Sequence, residues 1–241
     1  QSAAINHALN ISGSTITRSD DPQYNYYPTN YSASDYAKLQ EDYLAVCEEI
    51  EAEGMVLLKN DNNALPLAAT EKVSLFLTGS VMFNYATSGS SSADTSGYKD
   101  LKTALTVQGM AVNGDLWDFY KELVDGGDYG RYKQGTLYMI NEVPYDEYDD
   151  GLAATYAEYS TAIVTISRNS GEGADLTMVG SDGEDGSCLS LSQEEVGVLE
   201  ALTELKANGT VKKIVVLLNS SATIQLDFLD KSTIDVDAVM W

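Results

Sequence analysis

The sequence predicts an α/β protein: a layered α/β sandwich built on a largely parallel central sheet. Three observations carry this. Short apolar runs rich in Val, Ile and Leu recur at 73–77, 162–167, 214–218 and 236–241. Helix-period stretches separate them over most of the chain. The runs at 162–167 and 214–218 are nearly continuous rather than alternating, as in strands buried on both faces of a parallel sheet.

Taken in order, residues 1–33 are rich in Ser, Asn, Asp, Tyr and Pro and form an extended arm. Its Tyr24, Tyr26, Tyr27 and Tyr31 serve as packing anchors or, if exposed, as surfaces for sugars to stack on. The sandwich domain is expected over 34–241. It opens with a helix from Asp35 to Glu53, where Tyr36, Leu39, Tyr43, Val46 and Ile50 fall at helical spacing and mark one apolar face. Ser32 and Asp35 could open this helix and Gly54 closes it. Residues 55–60 read as a strand, Asp61-Asn62-Asn63 as a turn, and Leu65-Pro66-Leu67 as an extended segment.

After the strand at 73–77 comes a Gly/Ser-rich loop over 84–97. It lacks the glycine spacing and lysine of a phosphate loop. Helices are expected at 98–109 and 115–124, and irregular structure over 125–150. The strand at 162–167 leads into Arg168-Asn169-Ser170-Gly171-Glu172-Gly173-Ala174-Asp175. Residues 176–188 continue as an acidic, Gly-rich excursion. Ser192-Gln193-Glu194-Glu195 reads as a capping box, opening a helix that buries Val196, Leu199 and Leu202. Strands at 214–218 and 236–241 follow.

Composition excludes several function classes. The 241 residues carry 14 basic and 37 acidic side chains, a formal net charge of -23. Such a chain repels nucleic-acid phosphates and anionic membrane surfaces. No apolar stretch approaches the roughly eighteen residues of a membrane-spanning helix. A single histidine, His7, rules out most Ser-His-Asp, Cys-His and multi-histidine metal chemistry within this chain. Cys47 reads as a small hydrophobe on a helix and Cys188 lies in a loop; whether they are bridged stays open. Asp182, Glu184 and Asp185 lack the spacing of a calcium loop and read as a solvated acidic segment. No metal and no cofactor are expected.

Carboxylate chemistry remains, and Glu172 is its candidate. It sits between two glycines just past the end of an apolar strand, where open α/β sheets bind ligands. Arg168 and Asp175 flank it and serve as loop braces or substrate contacts. Ser88, Gly89 and Ser90, in the Gly/Ser loop, are candidates for lining the same cleft.

These stretches together resemble glycoside hydrolase family 3, the β-glucosidase family. Residues 53–60 with Leu65-Pro66-Leu67 are similar to the opening of its sandwich domain. The 88–92 loop is similar to its Gly/Ser loop, and 167–175 to its acid/base loop. The helix start at 189–195 and the strands at 215–221 and 237–241 also match, so the likeness runs in register from about 48 to 241. One departure is Leu176, where the family commonly has arginine.

The resemblance implies a retaining glycoside hydrolase acting on terminal β-linked sugars, with an oligosaccharide or aryl glycoside as substrate. Glu172 would be the general acid/base. The nucleophilic aspartate would lie on a partner (β/α)-barrel domain outside this chain, in the reversed domain order of some bacterial members. The isolated chain is then expected to be inactive, and Glu172 to be exposed in it. The competing reading is a non-catalytic carbohydrate-binding or inter-domain scaffold module, to which the 16 tyrosines would also be suited. The chain begins at Gln1 rather than Met, so a processed product or an excised N-terminal piece of a longer hydrolase is expected. Its acidic, cysteine-poor composition reads as an extracellular or cell-envelope protein of a bacterium, with cytoplasm as the alternative.

Overall fold

The structure is a computed structural model that describes residues 11–12, 15–16, 33–86, 89–93, 95, 97–134, 137–176 and 188–241. The chain divides into two compact units, Gln1–Met55 and Val56–Trp241. The first contains a short antiparallel pair, β1 (Ile11–Ser12) with β2 (Thr15–Ile16), and the helix α1 (Ala33–Gly54). The tyrosines at 24–31 of the expected arm lie outside the described residues. On α1, Leu39, Tyr43, Val46 and Ile50 are exposed. Helical spacing correctly puts them on one face, but periodicity cannot say whether anything covers that face.

The second unit is built on a six-stranded sheet in the order β3 (Leu57–Asn60), β11 (Ala238–Met240), β10 (Lys213–Ser220), β8 (Thr161–Arg168), β4 (Lys72–Phe76), β5 (Ala111–Val112). All neighbours are parallel except the edge pair β3 and β11. β8 is buried along its whole length, as the continuous apolar run leads one to expect. Its alternate side chains feed two cores. Ala162, Val164 and Ile166 pack on one face with Phe76, Val216 and Leu218, while Ile163 packs on the other with Leu75 and Val215. The first face is covered by α4 (Gly114–Gly126) through Leu116 and Tyr120, and by α6 (Gln193–Ala207) through Val198, Leu199 and Leu202. α3 (Leu101–Val107) packs Leu101 and Leu105 against the second.

The short helix α2 (Thr78–Val81) follows β4 directly. From β4 the chain moves outward to β5 and then returns to the other side of β4 as β8. The strand order therefore reverses between β4 and β8, and the loops leaving their carboxyl ends diverge around a crevice, the usual ligand position in such sheets.

Residues 125–150 are not irregular. They contain a hairpin, β6 (Gly130–Gln134) with β7 (Leu137–Asn141), and the short helix α5 (Asp150–Thr155). β7 also pairs in parallel with β9 (Asp175–Leu176), giving a second, three-stranded sheet. The Gly, Tyr and Asp content conceals this hairpin, because its stability comes from cross-strand pairing rather than from local propensity.

Glu142, directly after β7, is 3% exposed. Its carboxylate accepts from the Thr78 backbone N–H at 2.9 and 3.0 Å, the Thr78 hydroxyl at 2.7 Å and the Val143 N–H at 2.9 Å. It thereby ties the hairpin to the turn at the end of β4. Leu77, fully buried, occupies the left-handed half of backbone space at φ 72° in that turn, a strained conformation for a branched residue.

Burial pushes the Glu142 carboxyl up from 4.5 to about 7, against the donors from Val143 and Thr78 and with a smaller push from Glu195. The folded protein thus holds this proton more tightly than the unfolded chain does. The resulting contribution to stability is complete below the unfolded value and is lost as pH rises through the folded one. We expect the Tm to drop between about pH 5 and about pH 8 by more in the wild type than in Glu142→Gln, which keeps an acceptor but cannot ionise. Parallel pH dependences in thermal melts of the two proteins would refute this.

Candidate active site

Glu172 occupies the tip of a two-residue turn. Gly171 N–H donates to Ala174 O at 3.0 Å and Ala174 N–H to Gly171 O at 2.9 Å, closing Gly171-Glu172-Gly173-Ala174 from both sides. Gly173 takes φ 67°, which the third position of such a turn requires and a side chain resists. The turn hangs between two fixed points. Upstream, β8 ends at Arg168, three residues before Gly171, and downstream the chain enters β9 directly, where Leu137 pairs with Asp175 and Tyr138 with Leu176.

Arg168 is the upstream fixed point, with 5% exposure. All five of its N–H donors are used. Nη1 and Nη2 form a bidentate pair with Glu195 at 2.7 Å each, and the remaining donors reach the carbonyls of Ser167, Cys188 and Ser190 at 2.9, 3.0 and 2.9 Å. Burial opposes the charge on Arg168, but the attraction and hydrogen bonds of Glu195 outweigh it and hold its pKa above the ordinary value. Glu195 is also the third residue of α6 and completes the capping box read from the sequence. Its carboxylate accepts from Ser192 N–H at 2.8 Å while Ser192 Oγ accepts from Glu195 N–H at 3.2 Å. Every donor of Arg168 is thus engaged within the protein.

The Glu172 carboxylate itself is exposed. Its Oε2 accepts from Ser90 N–H at 2.7 Å. Hydrogen bonds from the Ser90 hydroxyl and then its N–H hold the carboxyl below the usual glutamate value, outweighing the small opposing effect of burial. The Gly/Ser loop and the Glu172 loop, separated by 82 positions, therefore meet across the crevice between β4 and β8. Gly89 and Ser90 lie in a single 3-10 turn, Gly89–Ser91. Ser88 lies outside the described residues, as does the side chain of Asp175. Residues 182–185 of the acidic excursion are outside them too. Cys47 and Cys188 are free thiols.

Sequence reasoning missed two residues of this region. Glu142 escaped because its partner Thr78 is 64 positions away. Asn84 escaped because nothing in a Gly/Ser-rich loop singles it out. It cross-links two strand ends, those of β8 and β10: its Nδ2 donates to Ser167 Oγ at 2.8 Å and to Asn219 O at 3.1 Å, and its N–H donates to Asn219 Oδ1 at 2.6 Å.

Gly89 is the residue that lets Glu172 sit on Ser90. It has φ 76°, and a Cβ there would come within 2.5 Å of Glu172 Cβ and 2.8 Å of its Oε2. We expect Gly89→Ala to push Glu172 off Ser90 and to cost about 1 kcal/mol of stability from the left-handed backbone. The Glu172 carboxyl, followed by carbon-13 NMR titration, should then move up towards an ordinary glutamate; an unchanged titration would show that Ser90 is not what holds it down.

The chain matches the glycosyl hydrolase family 3 C-terminal domain over residues 55–241. It is 32% identical over 209 residues to a beta-glucosidase of Ruminococcus albus, covering 83% of this chain and 20% of that protein. It is 36% identical over 148 residues to beta-glucosidase A of Butyrivibrio fibrisolvens, covering 56% and 16%. The chain thus spans a fifth or less of the length of these curated relatives. Among solved structures, it is similar to a beta-glucosidase of Paenibacillus barengoltzii, with TM-score 0.64 and 26% identity over 78% of this chain and 20% of that one. Beta-glucosidase 3B of Thermotoga neapolitana, solved with glucose, shares the fold at TM-score 0.67 and 24% identity, over 84% and 27%. The family match over residues 55–241, with the 32% identity to a relative over 83% of this chain, shows that the chain belongs to glycosyl hydrolase family 3 through its C-terminal α/β domain.

Proposed function

We propose that this chain is the acid/base half of a retaining, β-glucosidase-like hydrolase, with Glu172 as the proton donor and acceptor. The carrying observation is the position of its carboxylate: exposed at the tip of a turn closed at both ends, beyond the sheet's carboxyl edge and beside the strand-order reversal. A retaining mechanism needs a second carboxylate about 5–5.5 Å from the first. We assign that nucleophile to a (β/α)-barrel domain outside this chain; the curated relatives, both named beta-glucosidases, are long enough to hold one.

In the first step Glu172 protonates the glycosidic oxygen as the nucleophile attacks the anomeric carbon. In the second it takes a proton from the water that releases the sugar. Ser90 favours the carboxylate form, which suits the second step. The first step needs the proton, and burial by the sugar together with a negative nucleophile nearby would raise the pKa to supply it.

The chain alone should not turn over an aryl β-glucoside. In the full-length enzyme, Glu172→Gln should slow hydrolysis of poor leaving groups by about 10²–10⁴-fold while leaving the glycosylation step with very good leaving groups far less affected. Azide, which needs no base, should restore turnover and yield a β-glycosyl azide. Full activity of the variant on a natural disaccharide would remove Glu172 from the mechanism. The acidic, cysteine-poor composition supports a second proposal, that the full-length protein works outside the cell or in the envelope of a bacterium. Fractionation that finds it only in the cytosol would overturn this.

A further inference from the structure

Glu172 lies between two sheets. Upstream of it the chain leaves β8 in the six-stranded sheet, and downstream it enters β9 in the three-stranded one. Among the described residues, β9 pairs with β7 and has no strand partner in the larger sheet. Whatever seats the β6–β7 hairpin therefore also seats the downstream end of the Glu172 turn.

The hairpin is seated at its open end, where Gly130 pairs with Asn141. Glu142, the next residue, is bonded to Thr78, the first residue of α2. On the other strand, Arg131 donates to the end of the same segment, from its N–H to Met82 Sδ at 3.3 Å and from Nη2 to the Met82 carbonyl. A Cβ on Gly130 would come within 2.5 Å of Met82 Sδ, so the strand lies directly on that residue. β9 is held at the opposite end, beside the hairpin turn, where Leu137 faces both Gln134 and Asp175. From Leu137 to Asn141, β7 runs about 13 Å at ~3.3 Å per residue. The hairpin is thus a lever with its base on α2 and the Glu172 turn near its tip. A tilt of about 5° at the base would move the tip by about 1 Å, a displacement that can cost about a hundredfold in rate when a catalytic group is moved.

The joint at the base is costly in itself. It takes a carboxyl group almost wholly out of water, and it adjoins Leu77, whose φ of 72° sets the direction of the Thr78 N–H. An apolar contact could close the same gap without either cost, but it would not fix a direction, whereas three donors converging on one carboxylate do. Strained and desolvated groups of this kind cluster where a site must be held in one geometry. We propose that Glu142 is a positioning residue for Glu172: through Thr78 it sets the tilt of the β6–β7 hairpin and so holds the Glu172 carboxylate against Ser90. The consequence for the reaction rests on the reading of Glu172 as the acid/base; the consequence for its contact with Ser90 does not.

Carbon-13 NMR of the chain follows the Glu172 carboxyl, which Ser90 holds below the ordinary glutamate value. In Glu142→Gln its titration should move up towards that value. Thr78→Val, which loses only the hydroxyl donor, should move it the same way by less, and Thr78→Ser, which keeps that donor, should leave it in place. Val198→Ala, a truncation in the core on α6, should lower the Tm without moving the titration. In the full-length enzyme, Glu142→Gln should lower kcat/KM for a poor leaving group by about tenfold or more and for a very good one by far less, with KM little changed. A Glu172 titration that stays at the wild-type position in folded Glu142→Gln and Thr78→Val, or that shifts as much in Val198→Ala, would overturn the proposal and leave Glu142 a role in stability alone. If the titration shifted but the rates for both leaving groups fell alike, the acid/base reading would fail while the positioning of the Glu172 carboxylate stood.

Discussion

The pairing of Arg168 with Glu195 is the constraint on which the geometry around Glu172 depends. Both side chains are almost wholly buried, and each charge alone would be expensive to remove from water. The structure balances that cost by using every donor of the guanidinium. One side chain thereby joins the end of β8, the 188–190 segment and the first turn of α6. Removing either partner would leave the other buried and unpaired, a loss of about 3–5 kcal/mol. The Glu172 turn begins three residues later, at Gly171, so the ion pair anchors the strand end that leads into it.

The rest of the site is a matter of closing the crevice from its other sides. The downstream end of the turn is fixed by β9 against the β6–β7 hairpin, and that hairpin is tied to the end of β4 through Glu142 and Thr78. Asn84 links the same region to β8 and β10. These contacts position two loops so that a backbone N–H of one meets the carboxylate of the other. Rigid support of this kind suits a group that must approach a glycosidic oxygen to within hydrogen-bond reach.

Two buried arginines of one domain illustrate different uses of the same side chain. Arg168 is fully satisfied within the protein and is therefore structural. Arg131 lines a cavity with several aromatic rings, and its Nε has no hydrogen-bond partner among the described residues.

What the sequence determined by itself was local. The apolar run at 162–167 declared a buried strand, Ser192 to Glu195 declared a helix start, and Gly-Glu-Gly declared a sharp turn presenting a carboxylate, because strand periodicity, capping and turn chemistry act between near neighbours. The same patterning was enough for the fold class, while the family likeness rested on specific stretches such as 167–175 that resemble the family's own. Tertiary structure alone decided that Glu195 spends its carboxylate on Arg168, 27 positions away, that Glu172 rests on Ser90, and that Glu142 is buried against Thr78. It also decided that 130–141 is a hairpin. Each of these depends on which distant segments the packed sheet brings together, and the free energy that selects those partners comes from burial and cross-strand pairing, not from local sequence.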